Sequence, residues 1–344
     1  MERINSENVI LGISNIGFHW RMEDPFIFCA HHKDAFPVGN LNMGPNVSLE
    51  GRNIGSDFSG KDGFSMYHGN IVPGFPEHPH RGFETVTIVL EGVVDHFDSK
   101  GAYGRYSDGD VQWLTTGKGC QHCEMFPLIN QDRENPLELF QVWLNLPKKD
   151  KFVEPNYKML WKEDIPIFDI VDENKNKTNI RLIAGSFGGR KALEPTPNSW
   201  ANDENNRVGI VIIKMEPNSK IKIEKGTKTM SRNLYFYRGE GMISIGNTNI
   251  SSSNRIRLNA EKEFEIQNLD KPSYILLLEG ERIDEPVVQQ GPFVMNSEEE
   301  IYKAIQDFRQ TQFGGWKWDR PDPINDINTG RFARYSDGKE EIRY

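Results

Sequence analysis

The sequence predicts an all-β chain: two antiparallel β-barrels followed by a short C-terminal helix and a tail. Three observations carry that expectation. The 31 glycines and 19 prolines are scattered through all 344 residues. Short β-branched or aromatic runs recur between these turn signals, a pattern of barrels or sandwiches rather than βαβ units. The two halves also echo each other: VLEGVVDHF around Gly92 and FYRGEGMIS around Gly239 each read strand, glycine turn, strand, as a duplicated barrel would.

Taken in chain order, the first half offers strands at 85–90, 111–115 and 137–145. The second half offers them at 180–184, 208–215, 220–224, 233–237, 242–245, 255–258, 263–267 and 274–278. The polar stretches 172–179 and 198–207 read as loops. Near the end, Ser297 followed by Glu300 forms a capping box, and Ile301, Ile305 and Phe308 then share one helical face, which predicts a helix over 298–311 lying on an apolar barrel surface. The expected organisation is a first barrel at 1–157, a second at 158–313 that includes the helix, and an extension at 314–344 with aromatic anchors but no sustained period.

Composition excludes several functions. Lys plus Arg is 41 against 50 for Asp plus Glu, a net charge of -9, so no basic surplus exists to neutralise a phosphate backbone and direct nucleic-acid binding is not expected. The longest apolar runs, 208–213 and 274–278, fall far short of the about 20 residues that cross a bilayer. The stretch MERINSENVILGISN lacks an apolar core with a cleavage site, so the chain reads as cytoplasmic. Three cysteines, Cys29, Cys120 and Cys123, make no disulfide framework, in keeping with a reducing compartment.

All eight histidines lie at or before position 122, at 19, 31, 32, 68, 78, 80, 96 and 122, which confines any imidazole chemistry to the first third of the chain. His78-Pro79-His80 sets two imidazoles two residues apart, on one face of an extended strand. His122-Cys123-Glu124 repeats that spacing with an imidazole and a carboxylate. Together they offer three nitrogens and one oxygen, a set suited to a first-row metal with open positions and unlike a closed structural zinc site. The parity of Glu84, Val86, Ile88 and Leu90 matches that of His78 and His80 if one straight strand runs through them, which places the ion inside an apolar barrel. An isolated HxH in a strand is more often a polar pair than a ligand pair; the second pair and the glycines beside both, Gly74, Gly82, Gly117 and Gly119, favour ligation.

Four segments, GFPEHPHRGFETVTIVLEG (74–92), GDVQWLTTGKGCQHCEMFP (109–127), LFQVWLNLPKKDK (139–151) and EPVVQQGPFVMN (285–296), resemble the pirin family, bicupins of the cupin superfamily. The resemblance extends from about Phe26 to Phe313. It implies two jelly-roll cupin barrels and one mononuclear site in the first, with His78, His80, His122 and Glu124 as ligands. The general cupin pattern would offer Glu84 instead; the pirin pattern moves Glu84 to the surroundings of the site. Several features depart from the family: Cys29-Ala30-His31-His32 stands where pirins commonly read DHFGP, residues 41–70 look longer, and the tail after Gly315 is an extension. Cys120 and Cys123 form a CxxC, but with His122 between them on a strand the thiols point to opposite faces, which favours two buried small hydrophobes. The second barrel has no histidine, and aligning Gly239 with Gly92 sets Lys225 and Thr227 where His78 and His80 stand, so it is expected to be metal-free. His68 and His96 read as surface or hydrogen-bonded residues, and Trp113 and Trp143 as core.

Two functions follow from the resemblance. One is a dioxygenase like the pirin-type quercetinases: a flavonol or related enol and O2 meet at one divalent ion, Fe(II) first, with Mn, Co, Ni, Cu or Zn accepted according to availability. Glu124 then shifts between ligand and general base, with Gln141 beside it. The other is an iron-dependent redox-sensing regulator that binds a transcription factor or metabolic enzyme and needs no turnover. Either protein is expected to be a monomer.

Overall fold

The computed structural model describes residues 9–17 and 20–344; His19 and the first eight residues of the N-terminal stretch lie outside the described residues. The chain resolves into two compact units, one made of Met1–Cys29 and Glu163–Asp284, the other of Ala30–Lys162 and Glu285–Tyr344. The division falls inside the strand Phe26–Phe36. These units cross the expected boundaries: the helix and the tail, assigned by sequence order to the second barrel and to an extension, group with the histidine-bearing unit. Among the described residues no helix is long and apolar enough to cross a membrane.

The unit that carries seven of the eight histidines is built from two large antiparallel sheets and the small hairpin of Val288–Gln290 with Phe293–Met295. In spatial order, the first runs Asn156–Leu160, Val111–Thr115, Phe83–Glu91, Asn135–Asn145 and Phe26–Phe36. The second runs Glu340–Arg343, Arg331–Arg334, Tyr103–Ser107, Val93–Asp98, Cys120–Met125 and Gly74–His80. The histidine strand is therefore an edge strand, the place where a sheet tolerates its Pro76 and Pro79. A core that includes Phe36, Met66, Val89, Tyr106, Leu114 and Phe126 lies inside this unit.

The helix spans Glu298–Thr311, as the capping box requires: Ser297 Oγ accepts from the Glu300 amide at 3.2 Å, and the Glu300 carboxylate accepts from the Asn296 amide at 2.8 Å. Ile301, Ala304, Ile305 and Phe308 pack against Phe293, Met295 and Phe313 of the same unit, and Asp307 receives Arg81 Nη1 at 2.8 Å. Ser297→Ala should lower stability by about 1 kcal/mol in urea titrations, and Glu300→Gln by less.

The other unit consists of a seven-stranded sheet, a four-stranded sheet and the hairpin of Ser186–Phe187 with Arg190–Lys191; every strand expected in the second half is present, four of the eight longer by one to three residues at one or both ends and the others within one residue of expectation. Lys177–Ala184 begins inside the stretch expected to be a loop, because its partner strand Gly209–Met215 continues pairing to Thr178. The interior of this unit is largely aliphatic, with Ile180, Leu182, Ile213, Leu234, Ile243, Ile256, Ile266 and Leu277 in one cluster with Phe236 and Phe264. Lys225 is exposed and Thr227 donates to Glu281.

The tail packs as a strap followed by a strand. Trp316, Trp318, Ile324 and Ile327 pack against Phe97, Cys123 and Met125, and Arg331–Arg334 adds itself to Tyr103–Ser107. Between these contacts lies a buried ion pair: Arg105 binds Asp95 through Nε (2.7 Å) and Nη2 (2.8 Å) and also donates to the carbonyls of Asn325, Asp326 and Thr329, while the Asn325 amide donates to Asp95.

Candidate metal centre

Two neighbouring strands bring the histidines together. Gly74–His80 pairs antiparallel with Cys120–Met125, setting His78 opposite His122 and His80 opposite Cys120, with a register shift between Phe75 and His78. Gly74 makes the close approach workable: it sits at φ 134, and a Cβ there would fall 2.5 Å from the Glu124 carbonyl oxygen.

Ring centroids of His78 and His122 lie 4.5 Å apart, His78 and His80 4.7 Å, and His80 and His122 4.9 Å. One nitrogen from each lies within 4.8 Å of the others. His78 Nδ1 donates to the Pro76 carbonyl at 2.9 Å, which leaves Nε2 as the lone-pair nitrogen. His80 Nδ1 and both nitrogens of His122 are buried with no hydrogen-bond partner. Buried polar atoms are nearly always paired, so orphaned nitrogens converging on one point fit a divalent cation. Burial drives the imidazoles of His80 and His122 well below their ordinary pKa; burial also lowers His78, against the pull of the Pro76 carbonyl and of Glu124. All three are therefore neutral at pH 7, the form that ligates.

Glu124 follows on the same face of the same strand but stands outside the three-nitrogen group. Its Oε1 accepts from Thr87 at 2.7 Å and Tyr106 at 3.1 Å, and its Oε2 from Gln141 at 2.7 Å. Gln141 thus stands where the sequence reading set it.

Glu84 does not. Its Oε1 accepts from Trp113 (3.1 Å) and Thr115 (2.7 Å), its neighbours on one face of the sheet, whereas Thr87 and Phe83 turn their side chains to the other face, toward Glu124 and His80. The parity argument fails because Arg81-Gly82 separates two strands in two different sheets, and alternation restarts at Phe83.

His96, read as a background residue, is fully buried beside the site. Directly opposite Glu124, it stacks on Tyr157 at 4.8 Å and lies 5.5 Å from His122. The alternation His96, Asp98 in the strand after the Gly92 turn is the signal that could have found it. Trp113 is core as expected, but Trp143 is only partly buried and its ring edges His80 at 5.3 Å. The two cysteines part as the strand geometry predicts: Cys120 joins the interior cluster, Cys123 the one beneath the tail, and burial raises both thiol pKa values.

The departures at 31–32 form a second buried polar group. His31 meets Glu138 at 3.1 Å. His32 Nδ1 meets the Tyr67 hydroxyl at 2.9 Å, which donates to Asp34 at 2.7 Å. Burial pushes His32 down to about 4 and Asp34 up to about 6. Their effects on stability oppose each other. A depressed histidine costs stability as pH falls from its unfolded value of about 6.5, up to roughly 3 kcal/mol by pH 4; a raised aspartate returns a similar amount as pH falls through its folded value toward 3.8. Asp34→Asn should therefore steepen the acid loss of stability by roughly 3 kcal/mol between pH 7 and pH 4 relative to the parent, read from urea titrations at both.

A family model described as Pirin matches residues 15–144, and one described as Pirin C-terminal cupin domain matches residues 210–314. A Pseudomonas aeruginosa protein named "Putative quercetin 2,3-dioxygenase PA2418" is 35% identical over 284 residues, covering 81% of this chain and 93% of that one. Human Pirin is 35% identical over 261 residues, covering 73% of this chain and 81% of its own. The crystal structure of a quercetin 2,3-dioxygenase from Acinetobacter baumannii superposes with a TM-score of 0.69 at 25% identity, covering 90% of this chain and 99% of that one.

Proposed function

The chain belongs to the pirin family, and from that premise we propose that it is a metal-dependent dioxygenase that opens a flavonol or related enol with O2. The observation that supports this most is the convergence of one nitrogen each from His78, His80 and His122, with His80 Nδ1 and both His122 nitrogens buried without a hydrogen-bond partner, and with the Glu124 carboxylate on the same strand as His122. In this reading the three histidines and Glu124 hold one Fe(II), with other first-row divalent ions able to substitute. When bound, the ion supplies Lewis acidity toward the substrate hydroxyl and an electron path to O2.

The chain's own residues do the rest. Glu124 takes the hydroxyl proton onto a carboxylate oxygen. Thr87, Tyr106 and Gln141 hold that carboxylate in orientation, each through a hydrogen bond already made. Trp143 and Phe83, 4.3 Å apart, present aromatic surface at His80 and keep water from that side. The protein acts as a cytoplasmic monomer in this reading.

The regulator alternative asks for a cationic surface near the metal strands. The candidates are otherwise engaged: Arg81 binds Asp307, Lys118 pairs with Glu154, and Arg105 is buried against Asp95. Oxygen uptake by Fe(II)-loaded protein with quercetin and a panel of flavonols and catechols decides between the readings. Uptake that disappears in His122→Ala and falls at least about tenfold in Glu124→Gln is expected. No uptake by fully metallated protein sinks the dioxygenase and leaves the redox-responsive regulator.

A further inference from the structure

The unit made of Met1–Cys29 and Glu163–Asp284 has a cavity of its own. It measures about 850 Å³, within the roughly 300–1,000 Å³ of small-molecule sites. Its roof is the hairpin of Ser186–Phe187 and Arg190–Lys191 with the turn at Glu204–Asn206, and its floor carries Arg232 and Glu279. These two stand directly opposite on paired strands, Met230–Gly239 and Ser273–Glu281. Gly209 is the partner of Glu279 on its other side, and a Cβ there would fall 2.9 Å from Glu279 Cγ; glycine keeps the carboxylate's place open.

The floor is a half-used ion pair. Arg232, only 3% exposed, donates Nε to Glu279 Oε2 at 2.5 Å and Nη1 to the Glu224 carbonyl at 2.9 Å. Nη2 of the guanidinium and Oε1 of the carboxylate have no protein partner among the described residues. A cation's donor and an anion's acceptor are thus offered side by side to whatever enters. The remaining lining adds no net charge, since it holds four basic and four acidic side chains. A phosphate or dicarboxylate gains nothing from such a balance. A ligand with its own adjacent opposite charges does.

We infer that this cavity binds the α-amino carboxylate head of an amino acid or amino-acid derivative, its carboxylate on Arg232 Nη2 and its ammonium on Glu279 Oε1. The volume left over accommodates a long or aromatic side chain under the hairpin. This site is independent of the metal reading.

The test is calorimetric titration of the full-length metallated protein with L-arginine, L-glutamine, L-methionine and L-phenylalanine, and with the N-acetyl and methyl-ester forms of each. Inorganic phosphate and succinate complete the panel. One free amino acid or more should saturate a single site per chain, and blocking either charge should abolish the heat. Glu279→Gln should weaken binding about tenfold, as one lost charge-assisted hydrogen bond implies, while His122→Ala leaves it unchanged. The proposal is overturned if no free amino acid binds, if the N-acetyl or ester form binds as well, or if only phosphate or succinate does. The blocked ligands test it on the parent chain even if Glu279→Gln fails to fold.

Discussion

His122→Ala should lower divalent-metal affinity by more than about 100-fold, beyond the 10–100-fold that losing a supporting hydrogen bond around a metal costs. His122 closes a near-equilateral triangle with the other two rings, at 4.5 Å and 4.9 Å, and both its nitrogens lack partners. A ligand role and a packing role separate cleanly here. If the imidazole were mere filling, alanine would open a cavity and destabilise the metal-free protein, with metal binding little changed. If it is a ligand, truncation also removes two desolvated, unpaired nitrogens, so the metal-free protein should lose little stability. The rise in melting temperature that Fe(II) or Ni(II) confers on the parent should vanish. Gln141→Ala, one bond further out through Glu124, should fall within the 10–100-fold range. Unchanged metal affinity in His122→Ala would end the assignment of this site.

Asp95→Ala should cost about 3–5 kcal/mol of unfolding free energy, the penalty of leaving a buried guanidinium without its counter-charge. Arg105 is 2% exposed and Asp95 fully buried, and their contact is bidentate. The three tail carbonyls that also receive Arg105 can satisfy its N–H groups but not its charge. The strap should loosen first: proteolytic cleavage within 315–344 is expected to precede global unfolding in the variant and to be absent in the parent. A loss under about 1 kcal/mol in urea would show that water reaches the arginine.

What the sequence made legible follows from how local each signal is. Val111–Thr115 and Met242–Ile245 were readable to the residue because β-branched and apolar residues are bounded by turn chemistry at both ends. Gly74–His80 was not, since two prolines in seven residues argue against a strand unless it lies at an edge, and edge position is a property of the assembled sheet. Tyr103–Ser107 carries Gly104 and Arg105, poor strand residues until Asp95 and the tail meet them. The histidine pairs were legible because ligand spacing along one strand is a local matter. The environment of Glu124 was less so: Gln141 was found, whereas Thr87, Tyr106 and His96 come from three further strands. Glu84 misled for a related reason, as a two-residue break is invisible to a count of odd and even positions.

The tail strand bears on more than stability. Tyr103–Ser107 would otherwise present a row of unpaired backbone amides and carbonyls, a template on which a second molecule could lay a strand. Arg331–Arg334 occupies that row, and the rim of the sheet moves outward to Glu340–Arg343, four residues of which three are charged. A short rim of like and unlike charges is poorly suited to stacking on a copy of itself. The extension thus acts as a guard against self-association, and a chain ending at Gly315 would be expected to clump at concentrations where the full-length protein stays dispersed.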